Sequence, residues 1–354
     1  FPGQGSQYFT MGRGLYDEVP LFREAADQCC KILMGPELLG FDLRPILFPA
    51  EATRNAEQEK EREAEFARPM VLQPAMFVVE YALAQLFLAV GVSPVAVAGH
   101  SLGEYTASVV GGLLTLEAAC GIVAARSKST ETLAEDGSML SVADWSEEEL
   151  GAVAKGEHKG LWLAGVNSPV HAVISGETAA VEALEKKLKQ DERKCTMLHV
   201  RKAFHSGLIA KAADTLKGLG MPREAEPGQA VIPVASNLTG DWLSAAQLKE
   251  GTYWAQHMRG TILWRDNAQN LMRQWQPAVV LEVGPGNALS ALTKKCVAPD
   301  AAQQPHFMQA MRHPKASGTH DVETFMGALG RLWEVGCAID WQALRTKVMG
   351  VTEA

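Results

Sequence analysis

A serine in a glycine-flanked turn is the residue of this sequence best suited to covalent chemistry. Residues 99–103 read Gly-His-Ser-Leu-Gly, directly after the apolar run Val-Ala-Val-Ala at 95–98, and residues 104–108 favour a helix. This order of strand, sharp turn and helix predicts a nucleophile elbow that presents the hydroxyl of Ser101. Amides at the start of the helix favour negative charge, so the pattern indicates acyl chemistry. The alternative interpretation is a tight turn of an open α/β sheet that happens to contain a serine.

A serine hydroxyl is a weak nucleophile until a base takes its proton, so one of the nine histidines is expected to serve as that base. His205 is the best candidate, because it lies between a strand pattern at 196–200 and a helical pattern at 207–219. That junction joins two predicted domains, where ligand clefts concentrate. His100 belongs to the elbow and is expected to shape the pocket. On position alone, His205 could equally be an ordinary polar residue.

The fold class predicted by the hydrophobic patterns is α/β, with a small domain inserted in a larger one. Residues 137–201 show strand patterns at 139–143, 161–166, 171–175 and 196–200, and helical patterns at 146–154 and 178–190. The order strand, helix, strand, strand, helix, strand predicts a ferredoxin-like subdomain. The larger unit is therefore discontinuous, formed by residues 1–136 and 202–310 and followed by a C-terminal segment at 311–354. It is expected to be α/β-hydrolase-like with a parallel sheet core.

Helix and strand signals complete the expected large unit. Strand patterns lie at 95–98, 230–236 and 278–283, and helical patterns lie at 20–35 and 74–90. Pro74 is predicted to open the second of these helices, and Thr115 is predicted to cap a third helix that runs to about residue 135. The charged stretch 51–68 is expected to be a solvated helix or loop.

Composition excludes several classes of function. The formal net charge of −8, without a dense basic stripe, argues against a nucleic-acid partner. The most apolar stretch, around residues 76–90, carries Glu80 and is too short to predict a membrane span. Six cysteines without Cys-x-x-Cys spacing or clustering with histidine predict reduced thiols, a cytoplasmic setting and no metal site. A start without methionine predicts a piece of a longer polypeptide.

Five short motifs occur together in a fixed order. They are the elbow at 99–103, Gly-Gln-Gly-Ser-Gln at 3–7, Ala-Arg-Ser at 125–127, Ala-Phe-His-Ser at 203–206 and Glu-Val-Gly-Pro-Gly at 282–286. Over almost the whole chain the sequence resembles the malonyl-CoA:acyl carrier protein transacylase family, and more closely the acyltransferase domains of type I polyketide synthases. Residues 325–344 are similar to the segment that follows such domains in multidomain synthases.

The resemblance implies a Ser-His dyad rather than a triad. Ser101 would be the acylated nucleophile and His205 its general base and acid. A backbone carbonyl would orient the imidazole, and by position it would belong to His257 or to Gln256.

The resemblance also implies the remaining binding groups. The backbone amides of Gln4 and Leu102 would form the oxyanion hole. Arg126 would hold the free carboxylate of a malonyl-type unit, because a guanidinium pairs with a carboxylate through two parallel hydrogen bonds. Phe204 would fill the space of an α-methyl group and so favour malonyl, although Lys202 stands where malonyl-preferring members have histidine.

The implied reaction is ping-pong acyl transfer in polyketide biosynthesis. Malonyl-CoA would acylate the enzyme, and the phosphopantetheine thiol of an acyl carrier protein domain would take the malonyl group. Neighbouring polyketide synthase domains would be further partners, and no permanently bound cofactor is implied. Three alternatives stay open: a thioesterase of the α/β-hydrolase class, a transferase for a substituted extender such as methylmalonyl, and a catalytically silent scaffold. The mid-chain position of His205 disfavours the first, because α/β-hydrolases place the histidine late.

Overall fold

The computed structural model describes residues 1–49, 56–156, 158–223, 231–299, 304–316 and 318–351. Residues 51–55 of the charged stretch and residue 230 of the predicted strand 230–236 lie outside these ranges. The helices are α1 (Arg13–Glu18), α2 (Pro20–Leu33), α3 (Arg44–Leu47), α4 (Ala56–Phe66), α5 (Pro69–Ala89), α6 (Gly103–Val110), α7 (Leu116–Leu133), α8 (Glu147–Ala154), α9 (Thr178–Gln190), α10 (Ala210–Asp214), α11 (Ala245–Lys249), α12 (Tyr253–Arg259), α13 (Trp264–Trp275), α14 (Ala288–Lys294), α15 (Asp321–Glu334) and α16 (Trp341–Ala343). The strands are β1 (Val97–Ala98), β2 (Ser138–Ala143), β3 (Leu161–Ser168), β4 (His171–Gly176), β5 (Cys195–Met197), β6 (Val234–Ala235), β7 (Val279–Glu282) and β8 (His306–Gln309).

Parallel strands position the elbow. Strand β1 pairs with β6 in parallel, and β7 pairs with β8 in parallel, as two separate two-stranded sheets within the described ranges. Four residues, 99–102, separate the end of β1 from the start of α6, so this turn lies at the carboxyl end of a parallel strand. Ligand sites of α/β proteins lie at this edge of the sheet.

Residues 138–197 contain a third sheet with its own core. Its four antiparallel strands have the order β3-β4-β2-β5, and helices α8 and α9 contact them. A separate cluster of buried apolar side chains, among them Leu140, Ile174 and Val181, lies between the sheet and these helices. Strand β5 ends at Met197, whereas the sequence pattern extends the strand to residue 200.

The outer edge of β3 is joined to the large unit. Ile262 donates its amide to the carbonyl of Ala164 (2.9 Å), and its own carbonyl accepts from the amide of Val166 (2.9 Å). The hydroxyl of Thr261 also donates to the carbonyl of Leu163 (2.7 Å). The segment at 261–263 therefore continues this sheet by one short strand-like bridge.

Helix α5 is the centre of the main core. It is long and apolar enough to cross a membrane by composition, but 83% of its most apolar window is buried within the protein, as in a core helix of a globular domain. The helix begins at Pro69, so the prediction that Pro74 opens it is wrong. Proline at the first helical position costs nothing, because that amide has no partner within the helix. Pro74 lies inside the helix instead.

The sequence signal for the next long helix is confirmed. The hydroxyl of Thr115 accepts from the amide of Ala118 (3.1 Å) and caps α7. The C-terminal segment packs into the same core as the N-terminal part of the chain. Phe325 of α15 meets Phe87 of α5 edge to face, with ring centres 5.3 Å apart.

Candidate active site

The turn after β1 has the geometry of a nucleophile elbow. Ser101 has a φ of +51°, a left-handed conformation that non-glycine residues rarely adopt. A Cβ atom on Gly99 would lie 2.0 Å from the backbone carbon of Gly103. A Cβ atom on Gly103 would lie 2.3 Å from the carbonyl oxygen of Phe1. Both flanking positions therefore require glycine, and the turn holds the serine in a strained conformation.

His205 faces the serine. Its Nε2 lies 2.8 Å from the Oγ of Ser101, and its Nδ1 lies 2.9 Å from the carbonyl oxygen of Gly260. The expectation that His257 or Gln256 supplies this carbonyl is wrong. Both residues belong to α12, and the carbonyl of Gln256 already accepts from the amide of Gly260. Gly260 caps the C-terminus of that helix, and its carbonyl is free to accept from the imidazole.

The contacts of His205 determine its tautomer. A carbonyl only accepts, so Nδ1 carries the proton and Nε2 presents a lone pair to the serine hydroxyl. Burial lowers the pKa of His205 well below its usual value, and the nearby Arg126 guanidinium lowers this pKa further. The imidazole is therefore neutral near pH 7, the state in which it can take a proton from Ser101.

Arg126 is a buried cation with no anionic partner among the residues that the structure describes. It lies on α7, is 1% exposed, and donates from Nη2 to the Oγ of Ser101 (3.2 Å). Its guanidinium also lies over the ring of Tyr105, 5.4 Å from the ring centre. Within the described ranges its Nε and Nη1 atoms have no hydrogen-bond partner. Burying an unpaired charge is costly, and burial lowers the pKa of this guanidinium, so the arrangement suits an anionic ligand.

Two backbone amides remain available beside the serine. Among the residues described, neither the amide of Gln4 nor that of Leu102 donates a hydrogen bond to another protein group. The loop that carries Gln4 packs directly on the elbow, because a Cβ atom on Gly3 would lie 2.5 Å from the carbonyl oxygen of His100. Both amides are therefore available to donate to a ligand at the elbow.

The other predicted pocket residues lie close by. His100 donates from Nε2 to the Oδ1 of Asn167 (2.9 Å), and burial lowers the pKa of His100 to about 4. Phe204 is buried next to His205 in the main core. The ring of His257 lies 6.4 Å from that of His205, and its Nε2 lies 3.4 Å from the Oε2 of Glu104.

Sequence reasoning missed three residues besides the carbonyl of Gly260. Asn237 contacts the elbow and is discussed below. Asn167 fixes the orientation of His100 from the inserted sheet. Gln73 on α5 is fully buried, and neither of its amide atoms has a partner among the described groups. For Gln73, the only sequence signal was a polar residue within an otherwise apolar helical pattern.

Helix α5, which carries Gln73, packs against α7, which carries Arg126. The amide of Met70, near the start of α5, donates to Glu131 near the end of α7 (3.1 Å).

Over the described parts of the chain, no three His, Cys, Asp or Glu side chains are grouped to hold a metal ion.

Comparison with known proteins places this site in a family. The family model for the acyl transferase domain matches residues 1–331. The chain belongs to this acyl transferase domain family. Its relatives are type I polyketide synthases, and its structural neighbours include polyketide synthase acyltransferase domains and bacterial malonyl-CoA:acyl carrier protein transacylases.

Particular relatives are similar over nearly the full chain. A phenolphthiocerol synthesis type I polyketide synthase of Mycobacterium marinum is 33% identical over 97% of the chain, which spans only 15% of that relative. The acyltransferase domain from the second module of the salinomycin polyketide synthase is 33% identical, with a TM-score of 0.81 over 100% of this chain and 77% of that one. The acyltransferase domain of SpnD is 34% identical, with a TM-score of 0.79 over 95% and 76% of the two chains.

Proposed function

We propose that this domain transfers a malonyl unit from malonyl-CoA to the phosphopantetheine thiol of an acyl carrier protein, through an ester on Ser101. The observation that carries the proposal is Arg126. Arg126 is buried, its Nη2 lies 3.2 Å from the nucleophilic oxygen, and its Nε and Nη1 have no hydrogen-bond partner among the described residues, so the guanidinium is suited to an acyl group with a free carboxylate. An acetyl unit would leave this charge unpaired, which is unfavourable.

Acylation begins with attack of the Ser101 hydroxyl on the thioester carbonyl. His205 takes the hydroxyl proton at Nε2, while the carbonyl of Gly260 stabilises the imidazolium through Nδ1. The oxyanion of the tetrahedral intermediate accepts from the amides of Gln4 and Leu102, and each such donor is typically worth about 3 kcal/mol of barrier. The intermediate collapses when His205 returns the proton to the sulfur of coenzyme A, which leaves.

Deacylation repeats these steps with another thiol. The phosphopantetheine thiol of the carrier loses its proton to His205 and attacks the malonyl ester. Collapse of the second tetrahedral intermediate breaks the bond to Oγ, and the proton returns to Ser101. The carboxylate remains on Arg126 through both halves, so the hydrogen bond from Nη2 to Oγ is exchanged for bonds to the substrate.

We infer a preference for malonyl over methylmalonyl from Phe204. This residue directly precedes the base and is 6% exposed, and in the proposed function its ring takes the space that an α-methyl group would need. The related SpnD domain was solved with 2-(pent-4-yn-1-yl)malonyl, a substituted malonyl unit. One methyl group changes selectivity by about 10- to 200-fold in such pockets, so Phe204 is the residue on which this preference rests.

The partners follow from the proposed reaction. The relatives are modular polyketide synthases of which this chain spans a small part. We therefore expect the carrier domain and neighbouring synthase domains to belong to the same assembly. The six cysteines are all free, which fits a reducing cytoplasmic setting.

A competition experiment tests the proposal. The wild-type protein is incubated with equal malonyl-, methylmalonyl- and acetyl-CoA, and the adduct on Ser101 is identified by intact mass. We expect a malonyl adduct in the wild type, none in Ser101→Ala, and loss of malonyl with acetyl retained or raised in Arg126→Ala. Arg259→Ala, which changes an exposed arginine of α12, is the matched control and is expected to load malonyl normally.

Two results would contradict the proposal. Predominant acetyl loading by the wild type would exclude a carboxylate-selective pocket. Release of free malonate in the presence of holo carrier protein, without malonyl-carrier, would identify a hydrolase instead.

A further inference from the structure

Asn237 makes two hydrogen bonds to the nucleophile elbow with one side chain. It follows β6 and is fully buried. Its Oδ1 accepts from the amide of Ser101 (2.6 Å), and its Nδ2 donates to the carbonyl of Gly99 (2.8 Å). The carboxamide thus pairs with the backbone on both sides of His100, much as a neighbouring strand would.

The side chain of Asn237 provides a hydrogen-bond partner for a backbone amide of the elbow. Ser101 lies between the end of β1 and the start of α6, so neither element accepts a hydrogen bond from its amide. A buried amide without a partner costs about 1–3 kcal/mol, in addition to the strain of a positive φ. The adjacent amide of Leu102 stays unpaired among the described groups. Asn237 therefore engages one amide of the turn and leaves the next one free for the oxyanion.

The backbone of Asn237 extends the link to the base. Its amide donates to the Oε2 of Glu104 (2.7 Å), one turn of helix beyond the nucleophile. Its carbonyl accepts from the amide of Leu263 (2.9 Å), three residues after Gly260. Asn237 therefore contacts the turn that carries Ser101, helix α6 and the segment whose Gly260 carbonyl orients His205.

We propose that Asn237 is a positioning residue that sets the direction of the Ser101 hydroxyl and of the Leu102 amide relative to His205. The inference rests on the proposed acyl transfer through Ser101, but not on the identity of the acyl group. It predicts a loss in the chemical step rather than in the binding of malonyl-CoA.

Two variants and one control test this role. Asn237→Ala removes both bonds to the elbow, and Asn237→Asp keeps the acceptor for Ser101 while losing the donor to Gly99. Asn267→Ala is the matched control, because Asn267 on α13 is equally buried and its amide atoms have no partner among the described groups. Folding of each variant is followed by thermal unfolding, and kcat and KM are measured for transfer from malonyl-CoA.

We expect Asn237→Ala to lower kcat by about 10- to 100-fold while KM changes less than about threefold, a split typical of an interaction used in the transition state. Asn267→Ala should keep kcat near the wild-type value even if its melting temperature falls. Labelling of Ser101 by a fluorophosphonate probe should slow in Asn237→Ala to a similar degree as kcat. This readout does not depend on the acyl donor, so it separates failure of this inference from failure of the proposed function.

Asn237→Asp gives a readout that a merely structural role would not change. A protonated aspartic acid matches asparagine in shape, accepting from Ser101 and donating to Gly99, whereas the carboxylate cannot donate. Around this carboxyl, Glu104 accepts from the amide of residue 237, Tyr253 and His257 contact Glu104, and His205 and Arg126 contact Ser101; all of these groups are the same in the variant and the wild type. The ratio of kcat in Asn237→Asp to kcat in the wild type should therefore rise as pH falls from 8.5 to 6. A flat ratio, or wild-type kcat and labelling in a folded Asn237→Ala, would overturn the inference.

Discussion

Replacing Arg126 by methionine should separate recognition of the acyl group from stability of the domain. Methionine is of similar length and apolar, so it fills much of the space without a charge. If the guanidinium holds the malonyl carboxylate through two charge-assisted hydrogen bonds of about 1.5–3 kcal/mol each, their loss corresponds to about 10²- to 10⁴-fold in kcat/KM. Acetyl-CoA has no such carboxylate, so its kcat/KM should stay constant or rise.

The same substitution should stabilise the ligand-free domain. Arg126 is 1% exposed, and its Nε and Nη1 atoms have no partner in the described structure. Replacing buried charges by apolar side chains of similar volume is often stabilising by a few kcal/mol. After the lost contact with Tyr105 is allowed for, a net gain of about 1–2 kcal/mol corresponds to roughly 1–3 °C in a chain of this length.

Two assays on one protein preparation check both effects. Steady-state loading is compared for malonyl- and acetyl-CoA, and thermal unfolding is followed with and without millimolar malonate. Malonate should raise the melting temperature of the wild type but not of Arg126→Met, whereas acetate should have little effect on either protein. Malonyl loading by a folded Arg126→Met at the wild-type kcat/KM would refute the assignment of the carboxylate to this arginine.

Three further outcomes are expected. Because burial holds the pKa of His205 well below its usual value, kcat/KM should stay constant from pH 8 to below 6 and fall only when acid protonates the imidazole; half-loss at pH 6.5 or above would contradict this. Gly3→Ala should lower kcat, since the added Cβ meets the carbonyl of His100 at 2.5 Å and displaces the loop that carries Gln4; unchanged single-turnover acylation would count against that loop. Phe204→Ser should raise the methylmalonyl to malonyl loading ratio by about 10-fold or more in the competition assay, and no change would place the α-substituent elsewhere.

Local patterns predicted the parts of the site that depend on neighbouring residues. The strand, turn and helix around Ser101 follow from glycine spacing and apolar runs, and the cap at Thr115 follows from hydroxyl chemistry. Most element bounds in the inserted segment also agree with its patterns, because alternation and amphipathic spacing are strong there.

Contacts between distant segments were not predictable from one sequence. Asn237 meets Ser101 across 136 positions, and nothing in its local pattern distinguishes it from a turn asparagine. The family resemblance implied by position that His257 or Gln256 supplies the carbonyl for His205, but Gly260, just beyond the last residue of α12, supplies it. The start of α5 was misplaced because Pro69 and Pro74 both suit a first helical turn locally.

The bridge between Ile262 and β3 has a consequence for recombining such domains. Residues 261–263 follow the carbonyl that orients the general base and also hydrogen-bond to the edge of the inserted sheet. A chimera that exchanges only residues 137–201 with a relative would graft a foreign edge strand onto native 261–263 and disturb the alignment of the imidazole. Crossover points that carry 260–263 together with the exchanged segment should preserve turnover better.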